Sequence, residues 1–108
     1  MNTANLELCQ ELHELSGWID PGAGGWSHVP GAPYYTLGFL LRKLPETAPV
    51  YDDIGSLELY KASGSWGIWY CVVDDYGNYD TEANTPEDAA AKLAIELFKQ
   101  GILTRSEK

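Results

Sequence analysis

Acidic side chains crowd the stretch VDDYGNYDTE, residues 73–82, and carboxylates at such density suggest a cation site. A calcium-binding EF-hand loop requires acids or amides at positions 1, 3 and 5, glycine at position 6 and glutamate at position 12. Counting from Asp74 puts tyrosines at positions 3 and 6, and counting from Asp75 puts Gly77 at position 3. The spacing therefore excludes an EF-hand loop.

The same stretch has the residue types of a tight connection between strands. Asp75, Gly77 and Asn78 favour turns, and an apolar run of strand-forming residues precedes them. After them an alternating pattern begins at Tyr79. The sequence therefore predicts a hairpin turn here, followed by a strand over residues 79–83.

Other residues capable of catalysis or metal binding are few and scattered. His13 and His28 stand alone in a predicted helix and a glycine-rich segment, where we expect structural roles. Cys9 and Cys71 lack the CxxC spacing of a zinc site, and we expect both to be buried free thiols. No nucleotide-binding, metalloprotease or nucleophile-elbow motif occurs. The sequence therefore predicts no enzyme, no catalytic residue, no metal site and no cofactor.

Charge is distributed unevenly along the chain. Sixteen acidic and seven basic side chains give a net charge of −9, and residues 46–91 hold ten of the acids but one base, Lys61. A negative surface repels nucleic-acid phosphates and anionic lipids and attracts basic protein surfaces. We therefore expect no direct nucleic-acid contact and no membrane contact. Two interpretations of the acidity stay open, solubility alone and recognition of a basic partner.

The first residues predict a cytoplasmic protein with a helix at its start. They lack the basic and apolar regions of a signal peptide, and no apolar run in the chain is long enough to span a bilayer. Leucines three and four positions apart predict a helix over residues 4–16. Thr3 or Asn5 can cap its start, and Gly17 can end it.

A second helix is predicted in YYTLGFLLRKLP, residues 34–45. Its leucines recur at helical spacing, and Pro45 stops the run. Gly38 inside this helix costs about 1 kcal/mol relative to alanine, so we expect a neighbouring element to pack closely against it.

The last predicted helix has the clearest ends. Thr85 is the expected N-cap, Pro86 takes the first helical position, and Gly101 ends the helix. We expect one apolar face on this helix, made of Ala90, Leu93, Ala94, Leu97 and Phe98.

From residue 56 the apolar pattern changes to period two, which is typical of strands. Residues 56–62 and 66–73 predict two strands joined by the turn Ser63-Gly64-Ser65. Both faces of the second strand are apolar, so we expect it at the centre of the sheet. One face holds Trp66, Ile68, Tyr70 and Val72, and the other holds Trp69, Cys71 and Val73. The predicted fold class is α+β: one domain over residues 1–108, with helices on one face of a three- to four-stranded antiparallel sheet, in the order α-α-β-β-β-α.

Residues 17–33 are predicted to form a long Gly/Pro-rich loop. The segment contains five glycines and three prolines, which resist regular structure. We expect Trp18 and Trp26 to pin the loop to the core, because exposed tryptophan is costly. An alternative is that the loop covers a small-molecule pocket.

Three blocks of the chain resemble small uncharacterised proteins encoded by bacteriophages and prophages. They are ELHELSGW (residues 11–18), YYTLGFLLRKLP (34–45) and TPEDAAAKLAIELFKQGIL (85–103). They cover about half of the chain and contain no catalytic motif. The resemblance implies a protein that acts in the host bacterial cell by binding a host protein, as anti-CRISPR and other anti-defence inhibitors do.

These features lead to the hypothesis of a non-enzymatic binding module that presents an acidic surface to a basic host protein. Aromatic rings would supply contact area, and carboxylates would steer the encounter and accept hydrogen bonds. The residues predicted to bind the partner are Asp52, Asp53, Asp74, Asp75, Tyr76, Tyr79, Asp80 and Glu82.

Two other classes of function stay open at this point. The first is a small-ligand-binding protein or minor enzyme with a pocket under the loop between Trp18 and Trp26. The second is a structural component of a phage particle. The oligomeric state and the identity of the partner are not predicted by any pattern in the chain.

Overall fold

A computed structural model describes residues 3–18, 34–50, 53–72 and 76–104. Within these ranges the elements are α1 (Leu6–Ser16), α2 (Leu37–Lys43), β1 (Thr47–Val50), β2 (Asp53–Ala62), β3 (Ser65–Val72), β4 (Tyr76–Ala83) and α3 (Pro86–Lys99). The strands form one antiparallel sheet in the order β1-β2-β3-β4. The predicted α+β class is confirmed, and the fourth strand is β1, placed before the three predicted strands. The last of these is longer than predicted, because Gly77 and Asn78, expected in a turn, pair with β3 inside β4.

Both ends of α1 agree with the prediction. The Asn5 side chain accepts a hydrogen bond from the backbone N–H of Leu8 at 2.9 Å, which satisfies a donor of the first turn. Gly17 ends the helix in the left-handed region, with φ of 71°, and its N–H donates to the carbonyl of His13. These ends were predictable because the residues involved are within four positions of one another.

The second helix corrects the expectation about Gly38. Thr36 caps α2 by accepting from the N–H of Phe39 at 3.3 Å, and the helix ends before Pro45, as expected. Gly38, however, lies exposed. A methyl group at this position would have Arg42 Nη1 as its nearest neighbour at 3.6 Å, an ordinary contact distance. The predicted closely packed neighbour is therefore wrong.

Gly38→Ala is expected to raise the free energy of unfolding by about 0.5–1 kcal/mol, because alanine restricts the unfolded chain and fits the helix. Denaturant unfolding measures the change. Gly64→Ala is the control, since Gly64 also has open space around it but a φ of 79°. That backbone conformation disfavours alanine by about 1–2 kcal/mol. A shift of the same sign in both variants would contradict this account.

The β2–β3 hairpin turns at two of the three predicted residues, since Ser65 already begins β3, and β3 lies inside the sheet. Ser63 and Gly64 form the turn, and the register pairs Leu59 with Ile68 and Glu58 with Trp69. Ile68 is fully buried and Trp69 is half-buried on the opposite side of the strand. The predicted division of this strand into two faces is therefore confirmed within its described residues.

The last helix is buried over a wider face than the predicted residues alone. Thr85 caps it by accepting from the N–H of Asp88 at 3.1 Å, as predicted. Consecutive residues along the helix are buried, and they include Ala89, Ala91 and Ile95 in addition to the predicted face. α3 contacts β3 and β4 and also α1 and α2. The predicted face is therefore confirmed and is widened by these residues, whereas Lys92 and Lys99 stay exposed, so α3 is a central helix with one polar side.

Trp18 has the structural role expected of it. Its ring packs edge-to-face on Phe39 at 6.1 Å and on Phe98 at 5.3 Å between ring centroids. The Tyr35 hydroxyl donates to the Trp18 carbonyl oxygen at 2.6 Å, and His13 Nδ1 lies 3.0 Å from the same oxygen. Trp18 thus anchors the chain to the core. Trp26, His28 and the rest of the predicted loop, residues 19–33, lie outside the described residues.

Candidate functional site

Strand alternation divides the sheet into a helix-covered face and a second face that we call the open face. Ile68 and Tyr70 lie on the helix-covered face and are fully buried. Side chains of the intervening positions point to the other side of a pleated sheet. Register across β2, β3 and β4 then places on the open face a set of residues that includes Ser56, Glu58, Tyr60, Gly67, Trp69, Cys71, Asp80 and Glu82.

Tyr60 reaches across the middle strand of the open face. Gly67 of β3 is its partner in the register, and a β-carbon at Gly67 would clash with the Tyr60 ring. The missing side chain lets the ring lie over the backbone of β3. From there the Tyr60 hydroxyl donates to Asp80 Oδ1 on β4 at 2.9 Å. One aromatic side chain thereby links β2 to β4.

Trp69 forms a second link between a ring and a carboxylate. Its indole Nε1–H donates to Glu58 Oε1 at 2.8 Å, across the β2–β3 pair. The Trp69 and Tyr60 rings meet edge-to-face with centroids 5.9 Å apart, a favourable arrangement for aromatic side chains. Both rings are half-buried, while the Glu58 and Asp80 side chains are exposed. The open face therefore has an aromatic centre with carboxylates on two sides.

Cys71 lies beside this pair and differs from the prediction. Its thiol donates to Glu58 Oε1 at 3.6 Å, and partial burial together with the Glu58 charge raises the pKa of Cys71. The side chain is half-buried on the open face rather than buried in the core. Cys9 is a buried free thiol, as predicted. Because its pKa is raised, the Cys71 thiol stays protonated at neutral pH and serves as a hydrogen-bond donor.

The carboxylates of the open face are not neutralised by ion pairs within the described residues. The ion pair found in that part of the chain joins Lys99 Nζ to Glu11 on the helical side, at 3.2 Å. Lys92 Nζ donates to the backbone carbonyl of Glu82 at 3.0 Å, which leaves the Glu82 carboxylate exposed. Glu58, Asp80 and Glu82 therefore present their negative charge to solvent.

This environment changes the acidity of Tyr60. Partial burial, together with the hydrogen bond and negative charge of Asp80, raises the pKa of Tyr60 from 10.0 to about 12. The folded state therefore favours the protonated phenol. Its contribution to stability is fully present below pH 10 and is lost as the pH rises from 10 to about 12.

An ultraviolet absorbance titration measures the ionisation of Tyr60 when the curve of the Tyr60→Phe variant is subtracted from that of the unaltered protein. Tyr60 should ionise near pH 12. Asp80→Asn should lower this pKa toward 10 because it removes the negative charge. Glu7→Gln, on the exposed surface of α1, is the control and should leave it unchanged. Ionisation of Tyr60 near pH 10 in the unaltered protein would contradict the hydrogen-bonded arrangement.

The structure brings together only part of the predicted binding set. Asp80 and Glu82 share the open face of β4. Asp53 lies at the start of β2, is exposed, and accepts from the N–H of Ile54 at 2.9 Å. Alternation along β2 turns Asp53 away from the open face. Asp52, Asp74, Asp75 and the side chain of Tyr76 lie outside the described residues.

Tyr79 departs from the expected surface position. At a register shift opposite Trp69, Tyr79 adopts a φ of 60°, which is uncommon for a bulky residue. Its ring meets Tyr70 edge-to-face at 6.3 Å and packs against the core. Tyr79 therefore does not lie beside Asp80 on the open face. Alternation back from Thr81, which pairs with the buried Ile68, places Asp80 on the open face and Tyr79 on the helix-covered face.

Sequence reasoning overlooked Glu58, Tyr60 and Trp69 as members of the candidate site. A signal for them was present, because Glu58 and Tyr60 alternate with Leu57 and Leu59 in the predicted strand. Combining that alternation with the short turn after β2 would have placed Glu58 opposite Trp69. The contact between Tyr60 and Asp80 additionally requires the register of β4.

Besides the open face, the described residues form two surface clefts, and both are polar and shallow. One, of about 440 Å³, is lined by Asn5, Ser65, Glu82, Ala83, Asn84, Asp88 and Lys92. The other, of about 400 Å³, lies beside the outer edge of β4 and is lined by Tyr79, Asp80, Thr81, Glu96 and Gln100. Neither cleft includes Trp18, whose ring is packed between Phe39 and Phe98.

The described residues form neither a cluster of metal ligands nor a membrane-spanning helix. No group of three or more His, Cys, Asp or Glu side chains in the described ranges is placed to hold a metal ion. The described helices are all too short or too polar to cross a bilayer. Comparison with protein-family models, curated proteins and solved structures finds no match to this chain.

Proposed function

We propose that this protein is a non-enzymatic binding module whose open face docks onto a basic surface of a partner protein. One observation carries the proposal: exposed carboxylates beside half-buried aromatic rings on one face of the sheet. The carboxylates belong to Glu58, Asp80 and Glu82, and the rings to Tyr60 and Trp69.

The chemistry of this face suits a protein partner. Tyrosine and tryptophan supply large contact areas at little cost in side-chain entropy and are enriched among residues that dominate binding energy. Carboxylates accelerate encounter with a positive surface and accept hydrogen bonds from its arginines and lysines. The same charges disfavour approach of a nucleic-acid backbone.

The resemblance to phage proteins supports a bacterial host protein, met in the host cytoplasm, as the partner. A host protein with a basic surface for nucleic acid would be blocked when carboxylates occupy that surface. The proposed activity is therefore inhibition by occupancy, as in an anti-defence protein. This part of the proposal depends on the three blocks quoted above, whereas the docking surface depends on the geometry of the sheet.

Affinity capture from bacterial lysate with paired charge variants tests the proposal. Asp80→Asn/Glu82→Gln removes two charges from the open face, and Glu7→Gln/Glu14→Gln removes two from α1. Only the open-face variant should weaken binding of the captured protein, by about tenfold if each charge contributes about 0.7 kcal/mol. Equal capture by the wild type and both variants, with unfolding curves unchanged, would exclude the open face as the docking surface.

A further inference from the structure

We propose that the open face selects arginine over lysine on the partner, an inference that rests on the proposed function. Net charge alone attracts both side chains equally. The geometry of the rings and carboxylates distinguishes them, because arginine is a planar cation that stacks on aromatic surfaces and donates in a fork.

Each of the two carboxylates beside the rings, Glu58 and Asp80, accepts hydrogen bonds through one of its two oxygens. Glu58 Oε1 receives both the Trp69 indole N–H and the Cys71 thiol. Asp80 Oδ1 receives the Tyr60 hydroxyl. The second oxygen of each carboxylate has no hydrogen bond within the described part of the chain. Each acid is thus oriented by a neighbour and retains an acceptor for an incoming cation.

The aromatic centre between these acids is also held in place. Tyr60 is held at its hydroxyl by Asp80, lies over Gly67, and contacts the Trp69 ring edge-to-face. Trp69 is held at its indole nitrogen by Glu58. Because both rings are ordered before a partner arrives, binding costs less conformational entropy.

Arginine fits this arrangement better than lysine for two physical reasons. A guanidinium group is weakly hydrated, so it loses little hydration when it stacks on an indole or phenol ring. Its several N–H donors can also reach a carboxylate while the plane of the group remains on the ring. A lysine ammonium is compact and strongly hydrated, so it gains mainly from charge. The expected preference for arginine is about tenfold in affinity.

The test titrates the full-length protein with an arginine–glycine repeat peptide and with a lysine–glycine peptide of the same length and charge. The indole N–H signal of Trp69 in nuclear magnetic resonance spectra, assigned from its loss in Trp69→Phe, reports binding at the open face. The arginine peptide should bind about tenfold more tightly and should shift this signal.

Ring and charge variants separate the inference from the proposed function. Trp69→Leu should weaken the arginine peptide more than the lysine peptide and so reduce the preference to about twofold or less, and Trp69→Phe should retain part of the preference. Asp80→Asn/Glu82→Gln should weaken both peptides similarly. Equal affinity for the two peptides, with both weakened by the charge variant, would overturn the arginine inference and leave the proposed function standing. Binding of neither peptide would also overturn the arginine inference. The proposed function would then be tested separately by the affinity capture from lysate.

Discussion

Leu97→Ala is expected to lower the free energy of unfolding by about 2–5 kcal/mol. Leu97 is fully buried in α3, the helix that contacts β3 and β4 as well as α1 and α2. Removing its side chain leaves a cavity where neighbouring elements converge, and the surrounding structure can collapse only partly. Urea or guanidinium unfolding followed by circular dichroism measures the loss.

Leu41→Ala in α2 is the matched control for this prediction. Leu41 is also a helical leucine but is only partly buried against the core. Its replacement should cost about 1 kcal/mol, because less apolar area is lost and solvent can fill the space. If the two variants lose the same stability, α3 is not the central element described above.

Gly67→Ala is expected to lower the free energy of unfolding by about 1–3 kcal/mol and to release the Tyr60 hydroxyl from Asp80. A β-carbon at Gly67 would occupy the space of the Tyr60 ring, so the ring must leave its position over β3. Denaturant unfolding measures the stability. The pKa of Tyr60, measured as above, should fall toward 10 when the ring moves.

A double-mutant cycle tests this explanation, because the effect of Gly67→Ala on stability should change sign when the Tyr60 ring is absent. In a Tyr60→Ala background the ring is absent, and alanine in a strand interior is favoured over glycine by about 0.5–1 kcal/mol. Gly67→Ala should then be neutral or stabilising. An equal loss in both backgrounds would show that the glycine is required for another reason, such as the backbone conformation of β3.

Capping and strand periodicity were predictable because each depends on neighbours in the chain. Asn5 and Thr85 cap helices by accepting from an N–H three residues later. The alternation of Leu57 and Leu59 with Glu58 and Tyr60 follows from the pleat of one strand. These local rules were sufficient for the α+β class, the central position of β3 and the end of α1 at Gly17.

The errors arose where a residue's environment is supplied by distant parts of the chain. Gly38 suggested close packing, but its side of α2 is exposed. Tyr79 was expected on the binding surface, but its ring contacts Tyr70 on the helix-covered face. No single-segment pattern contains this information.

By itself, the sequence determined the helix ends, the two faces of the hairpin strands and the concentration of acids in residues 46–91. These properties depend on residue type and spacing over a few positions. Only the tertiary structure decided that Tyr60 meets Asp80, 20 residues away, and that Trp69 meets Glu58, 11 residues away. Such contacts depend on strand register and on the space above Gly67. For that reason the part of the candidate site formed by Glu58, Tyr60 and Trp69 was identified only from the structure, beside the predicted Asp80 and Glu82.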